Sequence, residues 1–234
     1  MKKEVVKKLL DLSADSYEKI AADFDASRKK EIWPEMRKFS EEVYDNDLVW
    51  DAGCGNGRLL EALINKKINY VGTDKSAALI ALAKKNYPNY SFSVLDLLDK
   101  TKVELFLSGR KFQHIFCLAV LQHVPSKELR REALINLARG LAPEGQLVIS
   151  NWNLLASKKR KLVLVAAIKK IFGLSKLDFG DIIFPWKDSQ GEIKSERYYH
   201  TFTKKELENL AKLAGLKIKK SYQDKYNFWL LLSK

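Results

Sequence analysis

The sequence predicts a doubly wound α/β fold with a mostly parallel sheet and a C-terminal antiparallel hairpin. Three observations carry this prediction. Strand and helix signals alternate through the first two thirds of the 234 residues. Five short apolar runs are separated by helical or less regular segments, which is typical of a parallel sheet covered on both faces. A glycine-rich turn also follows the first strand, within the stretch LVWDAGCGNG at residues 48–57.

The elements of the first two thirds follow from periodicity and from start and stop signals. Pro34 fits the first turn of a helix, where its missing N–H costs nothing, and Ser126 is a good N-cap. A turn is expected at the APEG segment, residues 142–145. Residues 99–110 give a weaker pattern. Helices are predicted over 1–12, 14–26, 33–44, 57–65, 76–86 and 126–139, and strands over 47–51, 69–73, 90–95, 112–118 and 146–151.

The alternation stops after residue 151. Residues 158–173 predict an apolar helix with basic flanks, and 174–198 are expected to be irregular. Thr203 and Glu206 form a capping box that opens a last helix, and a hairpin over 216–222 and 226–233 ends the chain. We interpret 1–234 as a single domain with a helical cap (1–44), a core (45–151), a basic lid or substrate insertion (152–202) and a final helix with hairpin (203–234).

The composition is that of a soluble protein with a basic C-terminal third. The net charge is +13, and residues 151–234 hold 18 Lys and Arg against 8 Asp and Glu. This asymmetry favours a polyanionic partner, although a lysine-rich solvated surface would give the same count. No stretch has the roughly 20 apolar residues of a membrane span, and no secretory signal is evident. Cys54 and Cys117 provide neither a disulfide framework nor a C-x-x-C pair, so we expect a reduced, cytoplasmic protein.

The glycine loop predicts a nucleotide-type ligand with a positive charge. Asp51 ends the first strand and is followed by Gly53, Gly55 and Gly57. The dinucleotide fingerprint G-x-G-x-x-G places its third glycine one residue later, and no Lys-Ser or Lys-Thr closes a Walker loop. The carboxylate of Asp51 is badly placed for a phosphate but well placed for a cationic amino-acid moiety.

Two further acids follow the next two strands. Asp74 lies about 20 residues beyond the loop, where a carboxylate can bind both hydroxyls of a ribose. Asp96 ends the third strand, where an adenine edge would lie. Each of these acids alone could be an N-cap or a turn residue, but acids at three consecutive strand ends indicate one shared site.

On these residues the chain resembles the class I S-adenosylmethionine-dependent methyltransferases. The matching segments are DAGCGNG, GTDKS, VLDLL, CLAVLQHVP and LAPEGQLVIS. The resemblance implies a seven-stranded Rossmann-like methyltransferase sheet with helical lid insertions and S-adenosylmethionine as the cofactor. Tyr17 is expected to close over the cofactor. The expected cofactor-binding residues are Tyr17, Asp51, Gly53, Cys54, Gly55, Asp74, Lys75, Asp96, Leu97 and Ala119.

The methyl acceptor has to be inferred from segments outside this core. Arg197 is surrounded by aromatic residues just before the last helix. Rings can stack on a base while a guanidinium binds an oxyanion through two hydrogen bonds. The alternative is structural: Tyr198 and Phe202 would pack the last helix on the sheet, and Arg197 would cap a carbonyl. For Phe202 we prefer the structural interpretation, and for Arg197 the functional one.

The segments 17–28, 179–187, 196–210 and 221–232 are similar to the tRNA wobble-uridine carboxymethyl methyltransferases, and the first three carry their clearest motifs. They carry Y-x-x-I-A-x-x-F-D-x-[ST]-R, F-P-W and R-Y-Y-H-x-F-x-x-x-E-L. That family esterifies the carboxylate of 5-carboxymethyluridine. The likeness implies a tRNA anticodon arm and a small zinc-binding activator subunit as partners. The two cysteines of this chain cannot form a zinc site, so we expect any zinc to belong to that subunit. The expected substrate-binding residues are Arg28, Trp186, Arg197, Tyr198 and His200.

Three departures from that family border the site. Gln122 precedes His123 where the family has two histidines, the segment after Asp96 is longer, and residues 225–229 replace D-x-N-W. We still expect Arg28, His123 and Arg197 to be catalytic. The arginines would clamp a carboxylate that needs no strong base, and His123 would orient its oxygen or donate a hydrogen bond.

Two other functions remain open from the sequence. A small metabolite, such as a carboxylic acid or a quinone precursor, could be the acceptor, and a phenol or carbon acceptor would require His123 as a base. A non-catalytic partner protein that binds S-adenosylmethionine is a further alternative. The apolar side of the helix at 158–172 is expected to pack as a lid rather than to enter a membrane.

Overall fold

A seven-stranded sheet forms the centre of the computed structural model, which describes residues 1–28, 31–188 and 190–234. The strand order is β3-β2-β1-β4-β5-β9-β8. Strands β1 to β5 are parallel, and β9 and β8 are antiparallel. The strands of this sheet are β1 (Leu48–Ala52), β2 (Asn69–Asp74), β3 (Ser91–Val94), β4 (Phe112–Leu118), β5 (Leu141–Trp152), β8 (Lys217–Gln223) and β9 (Asn227–Ser233).

The strand order reverses between β1 and β4, and this reversal positions the site. From β1 the chain continues to β2 and β3 on one side, then returns to place β4 and β5 on the other. The loops at the carboxyl ends of β1 and β4 therefore diverge and leave a crevice between them, which is where open α/β sheets bind ligands. The predicted doubly wound sheet and its C-terminal hairpin are confirmed.

Helices cover both faces of the sheet. Successive residues of a strand point to opposite faces, so each strand contributes apolar side chains to both cores. Trp50, Ile115 and Cys117 belong to one core, whereas Val49 and Phe116 belong to the other. The helices begin at the residues that cap them: the Ser76, Ser126 and Thr203 hydroxyls each accept a backbone N–H in the first turn. The helices are α1 (Lys3–Ser27), α2 (Pro34–Glu41), α3 (Ala77–Asn86), α4 (Lys100–Leu107), α5 (Lys127–Gly140), α6 (Arg160–Ile171) and α7 (Lys204–Leu213).

Several local predictions differ from the structure. The two helices predicted within 1–26 are one continuous helix, α1, and the helix predicted over 57–65 is a short 3₁₀ turn, Arg58–Ala62. Gly57 precedes that turn with φ +83°, a left-handed conformation that does not continue into an α-helix. The weak pattern at 99–110 becomes α4, which starts where the Asp99 carboxylate accepts the Lys102 N–H.

The predicted irregular segment 174–198 is wrong in most of its length. Two strands, β6 (Asp181–Lys187) and β7 (Ile193–His200), pair antiparallel as a separate two-stranded sheet. Ile182 and Phe184 are buried against Leu154 and Val163, so the hairpin is stabilised by contacts made from outside its own sequence. Within residues 1–28, 31–188 and 190–234, no helix is long and apolar enough to span a bilayer.

Candidate active site

A cavity of about 420 Å³ lies at the carboxyl ends of the parallel strands, below helix α1. Each wall comes from a different strand end. Asp51 lies at the end of β1 before the glycine loop, Asp74 ends β2, Asp96 follows β3, and Ala119 follows β4. These residues are separated by up to 68 positions in the sequence, and parallel pairing brings them together at one edge.

The glycine loop comes so close to its neighbours that a side chain would not fit at Gly53. Gly53 has φ +80°, and its N–H donates to the Thr73 carbonyl at 2.7 Å. A Cβ placed there would lie 2.3 Å from Cγ2 of Val120. The loop therefore leaves open backbone beside the cavity, as a bound ligand requires. The Cys54 N–H donates to the same carbonyl at 2.9 Å, and its buried thiol is not part of a disulfide.

Asp51 is a buried carboxyl group that fits a cationic ligand. Burial raises its pKa to about 7, against the opposing effect of the Tyr70 hydroxyl, which donates to its Oδ2 at 2.8 Å. A positive charge brought into the cavity would stabilise the ionised form and lower this pKa. The ammonium and sulfonium of S-adenosylmethionine would both carry that charge.

Asp74 is oriented by backbone groups on both of its oxygens. Oδ2 accepts from the Gly55 N–H and Oδ1 from the Ser76 N–H, each at 2.9 Å. These bonds hold the carboxylate at the cavity and leave it further acceptor capacity for ribose hydroxyls. Burial raises the pKa of Asp74 as well.

Asp96 and Lys75 form the outer part of the cofactor cavity. Oδ1 of Asp96 accepts from the Leu98 N–H, and Oδ2 is 2.9 Å from the Lys75 ammonium. Ala119, which directly follows β4, has φ +57°, an uncommon conformation for a residue with a side chain. Such strain is found preferentially at ligand sites. Its N–H donates to the Ser150 carbonyl at 2.9 Å.

The residues present fit S-adenosylmethionine at every part of this cavity. Asp51 would hold the charged amino-acid part, Asp74 the ribose, and the Asp96–Leu97 segment the adenine. Tyr17, on α1, lines the same cavity from above. When bound, the cofactor supplies an electrophilic methyl group. The structure thus brings all ten predicted cofactor residues to one end of the sheet.

A smaller recess adjoins the cavity and shares part of its wall. It is rich in arginine and tryptophan, and Arg28, Trp33, Arg58 and Trp152 line both spaces. Guanidinium groups and indole rings together bind flat anionic groups. The full lining of the recess is Ser27, Arg28, Glu31, Trp33, Arg58, Trp152, Trp186 and Arg197.

Arg197 is held rigidly in the wall of the recess. Its Nη1 donates to the Tyr199 hydroxyl at 2.9 Å, and its guanidinium carbon lies 4.3 Å from the ring centroid of Trp186. Within the described part of the chain, the buried Nε of Arg197 and Nε1 of Trp186 have no hydrogen-bond partner. Two buried donors beside a recess favour a ligand with acceptor oxygens.

Arg28 lines both the recess and the cofactor cavity, and His123 lines the cavity. Burial lowers the pKa of Arg28, whose guanidinium carbon lies 4.6 Å from the Phe24 ring centroid. His123 Nε2 is 3.0 Å from the Tyr17 hydroxyl. Burial, with a smaller effect from Arg197, lowers the pKa of His123 to about 3. His123 is therefore neutral near pH 7 and a poor general base.

Tyr198 and His200, which we expected to contact substrate, lie elsewhere. The Tyr198 hydroxyl donates to Asp181 Oδ1 at 2.7 Å. His200 lies between Asp181, at 2.7 Å from its Nδ1, and Glu206, at 2.8 Å from its Nε2. Neither side chain is among the described residues that line the cavity or the recess. Their partners indicate a structural role.

Sequence reasoning also missed an arginine and two tryptophans of this site. Arg58 directly follows the glycine loop, and Trp33 precedes Pro34, so both stood beside motifs that were already noted. Trp152 ends β5 and stacks on Tyr199 with ring centroids 5.4 Å apart. Nothing in the sequence pattern marked Trp152 as a site residue. Among the residues that the structure describes, no cluster of three His, Cys, Asp or Glu could hold a metal ion.

Comparisons with known proteins agree with this geometry. Residues 50–147 match the family model "Methyltransferase domain". A tRNA (carboxymethyluridine(34)-5-O)-methyltransferase of Schizosaccharomyces pombe is 25% identical over 93% of this chain and 94% of that protein. The corresponding Xenopus tropicalis protein alkbh8 is 26% identical, but the chain spans only 40% of its length. A probable tRNA methyltransferase 9B of Bos taurus is 32% identical over 59% of this chain and 28% of that protein.

Solved structures show the same fold at low sequence identity. An S-adenosylmethionine-dependent methyltransferase from Methanosarcina mazei superposes with a TM-score of 0.65 at 21% identity, covering 88% of this chain and 99% of that one. The magnesium protoporphyrin IX methyltransferase of Synechocystis, solved with bound S-adenosylhomocysteine, gives 0.60 at 19% identity over 94% of this chain and 96% of that one. The methyltransferase domain at residues 50–147, the shared fold and the intact cofactor cavity together indicate an S-adenosylmethionine-dependent methyltransferase.

Proposed function

We propose that this enzyme methylates the carboxylate of 5-carboxymethyluridine at the wobble position of tRNA, giving the methyl ester. The observation that carries the proposal is the recess of three arginines and three tryptophans that opens onto the cofactor cavity. An indole can stack on a uracil ring while a guanidinium binds the carboxylate through two hydrogen bonds. The names of the relatives from Schizosaccharomyces pombe and Xenopus tropicalis support the same acceptor.

The side chains suit an acceptor that is already ionised. A carboxylate carries its negative charge at neutral pH, so the site has to orient it and exclude water rather than remove a proton. Arg28 and Arg197 both line the recess and provide positive charge there. His123, with a pKa of about 3, would be a weak base for a phenol or carbon acceptor. The protonation states thus favour a carboxylate over those acceptors.

The proposal is tested by incubating the purified protein with methyl-labelled S-adenosylmethionine and tRNA that carries 5-carboxymethyluridine. After digestion, mass spectrometry should find the label in the methoxycarbonylmethyl nucleoside, and mild alkali should release it because esters hydrolyse under those conditions. If no activity is detected, adding cell lysate tests the need for an activator subunit. Label in a small metabolite, with none in tRNA under either condition, would contradict the proposed acceptor.

Substitution of Arg197 should separate acceptor binding from cofactor binding. We expect Arg197→Gln to lower kcat/KM for the tRNA by about 100-fold or more, because a buried charged donor to the carboxylate is lost. Arg197→Lys should recover little, since an ammonium cannot make the planar two-bond contact. Affinity for S-adenosylmethionine, measured by calorimetry, should stay within about twofold, because Arg197 does not line the cofactor cavity.

The matched control for this experiment is Arg131→Gln. Arg131 is exposed on α5 and donates to the Leu213 carbonyl, away from both spaces. The control should retain wild-type transfer. Equal losses of methyl transfer in both variants, or a loss of cofactor affinity in Arg197→Gln, would show that Arg197 does not bind the acceptor.

A further inference from the structure

Helix α6 carries an apolar face that the rest of the described protein leaves exposed. The helix packs through Val163 and Ala166 on a small core that includes Ile182 and Phe184. The expectation of a packed lid therefore holds for one side only. With 100° between successive residues, five exposed large side chains cover an arc of about 120° on the other side. This apolar arc consists of Leu164, Val165, Ile168, Ile171 and Phe172.

The arc ends in a protruding apolar tip. Ile171 is 69% exposed, Phe172 is 73% exposed, and Leu174 just beyond the helix is 77% exposed. Gly173, with φ +69°, turns the chain between them. Exposed apolar residues are ordinary when they are scattered, but a contiguous group of this kind marks an interaction surface.

The charge around the arc indicates what binds there. From Gly145 to Leu177 the sequence contains no acidic residue and seven basic ones. Lys169, Lys170 and Lys176 are close in sequence to the tip. A second copy of this chain would bring the same positive charges together, which is unfavourable. RNA phosphates would pair with the lysines but would gain nothing from the aliphatic side chains of the arc.

We propose that the apolar arc and its lysines bind an anionic lipid bilayer surface. The interface of such a bilayer takes up both parts of the surface: apolar side chains enter the boundary of the acyl chains, and lysines pair with the headgroups. The helix lies on the bilayer and does not cross it. This inference is independent of the proposed acceptor, because it uses no residue of the cavity or the recess.

Sedimentation of the full chain with phospholipid vesicles tests the proposal. Vesicles with about 30% phosphatidylserine should bind the protein well, and pure phosphatidylcholine vesicles should bind it weakly. We expect Ile171→Ser combined with Phe172→Ser to lower the affinity for the anionic vesicles by about tenfold or more. Lys169→Gln should lower it about fivefold. Lys170→Gln should have a smaller effect, because Lys170 lies on the same side of the helix as Val163.

Controls distinguish the surface from a general effect of the substitutions. Leu105→Ser removes a leucine on α4 that is about as exposed as Phe172, and it should leave vesicle binding unchanged. Thermal unfolding and S-adenosylmethionine binding should match the wild type in every variant. Absence of binding to anionic vesicles would overturn the proposal. So would vesicle binding that is insensitive to the Ile171 and Phe172 substitutions, or a loss confined to tRNA affinity, which would assign the face to RNA.

Discussion

At the scale of single residues, Asp51 shows how burial prepares the site for a charged ligand. Its carboxyl group is buried, and the neighbour that donates to it is neutral, the Tyr70 hydroxyl. Burial raises the pKa of Asp51 to about 7, so near neutral pH the group is close to half protonated. A cationic cofactor would favour the ionised form, and cofactor binding is then linked to proton release.

We therefore predict that the affinity for S-adenosylmethionine rises with pH between about 6 and 8. Below the pKa of about 7, Asp51 must lose a proton before it can pair with the cofactor, whereas above it the carboxylate is already formed. Isothermal titration calorimetry at several pH values, in buffers of different ionisation enthalpy, would measure both the affinity and the released proton.

The control for this prediction is Asp51→Asn, which cannot ionise. It should bind the cofactor more weakly at pH 8 and should lose most of the pH dependence. An affinity that is flat across this range in the wild type would show that Asp51 is already ionised without the cofactor.

His123 and Arg197 are linked by a short polar chain through two tyrosines. Tyr17 contacts His123 Nε2 at 3.0 Å and the Tyr199 hydroxyl at 3.5 Å, and Tyr199 accepts from Arg197. Burial raises the pKa of Tyr17 well above its ordinary value, so Tyr17 stays protonated. These four polar side chains connect α1, which covers the cofactor cavity, to the recess.

At the scale of secondary-structure elements, β7 explains why two predicted site residues lie away from the site. Side chains alternate along a strand, so Arg197 and Tyr199 share one face while Tyr198 and His200 share the other. The first face meets the recess. The second meets Asp181 on the paired strand β6 and Glu206 on α7. Hydrogen bonds to Asp181 and Glu206 outweigh the opposing effect of burial and raise the pKa of His200.

Removing Asp181 from this network should destabilise the hairpin of β6 and β7. We expect Asp181→Ala to lower the free energy of unfolding by about 2–4 kcal/mol, because Tyr198 and His200 would lose a buried charged partner. The raised pKa of His200 sets the pH dependence. The stabilisation that protonated His200 provides is fully present below about pH 6.5, the pKa of histidine in the unfolded protein. It is lost as the pH rises through the pKa of His200 in the folded protein.

Urea denaturation at pH 6 and pH 9 would measure how much Asp181→Ala lowers the free energy of unfolding when His200 is charged and when it is neutral. The cost of Asp181→Ala should be larger at pH 6. Asp11→Ala, at an exposed position on α1, should change stability by no more than about 0.5 kcal/mol. A cost that is the same at both pH values would mean that His200 is uncharged in the folded protein.

At the scale of the whole molecule, the net charge of +13 should make tRNA binding depend strongly on salt. The basic start of α6 lies near the recess, since the Lys159 ammonium is 4.2 Å from the Phe184 ring centroid and Arg197 is 5.0 Å from the same ring. We predict that log K for tRNA falls linearly with log salt concentration. Affinity for S-adenosylmethionine should change little over the same range.

Charge substitutions would locate the phosphate contacts. Lys158→Gln combined with Lys161→Gln should reduce the salt slope by about 1–2, through loss of up to two phosphate contacts. Lys217→Gln combined with Lys219→Gln, on the edge strand β8, removes the same charge and should leave the slope unchanged. Equal slopes in the two double variants would show that the basic start of α6 makes no contact with tRNA.

The sequence by itself determined the parallel core and the cofactor end of the site. Apolar strand runs, the glycine loop and Asp51, Asp74 and Asp96 are local signals, and the register of parallel strands brings strand ends together without further information. Short motifs beside the core also predicted Arg28, His123 and Arg197, which line the cavity or the recess.

The tertiary structure decided which residues line the arginine- and tryptophan-rich recess and which face of α6 stays exposed. The hairpin of β6 and β7 is stabilised by contacts with Leu154 and Val163 from elsewhere in the chain, so no local period revealed it. Because β7 was not predicted, the alternation of side chains that separates Arg197 and Tyr199 from Tyr198 and His200 could not be predicted either. Trp152 and Arg58 joined the site, and the apolar arc of α6 stayed exposed, because long-range packing determines which residues meet and which side of a helix is covered.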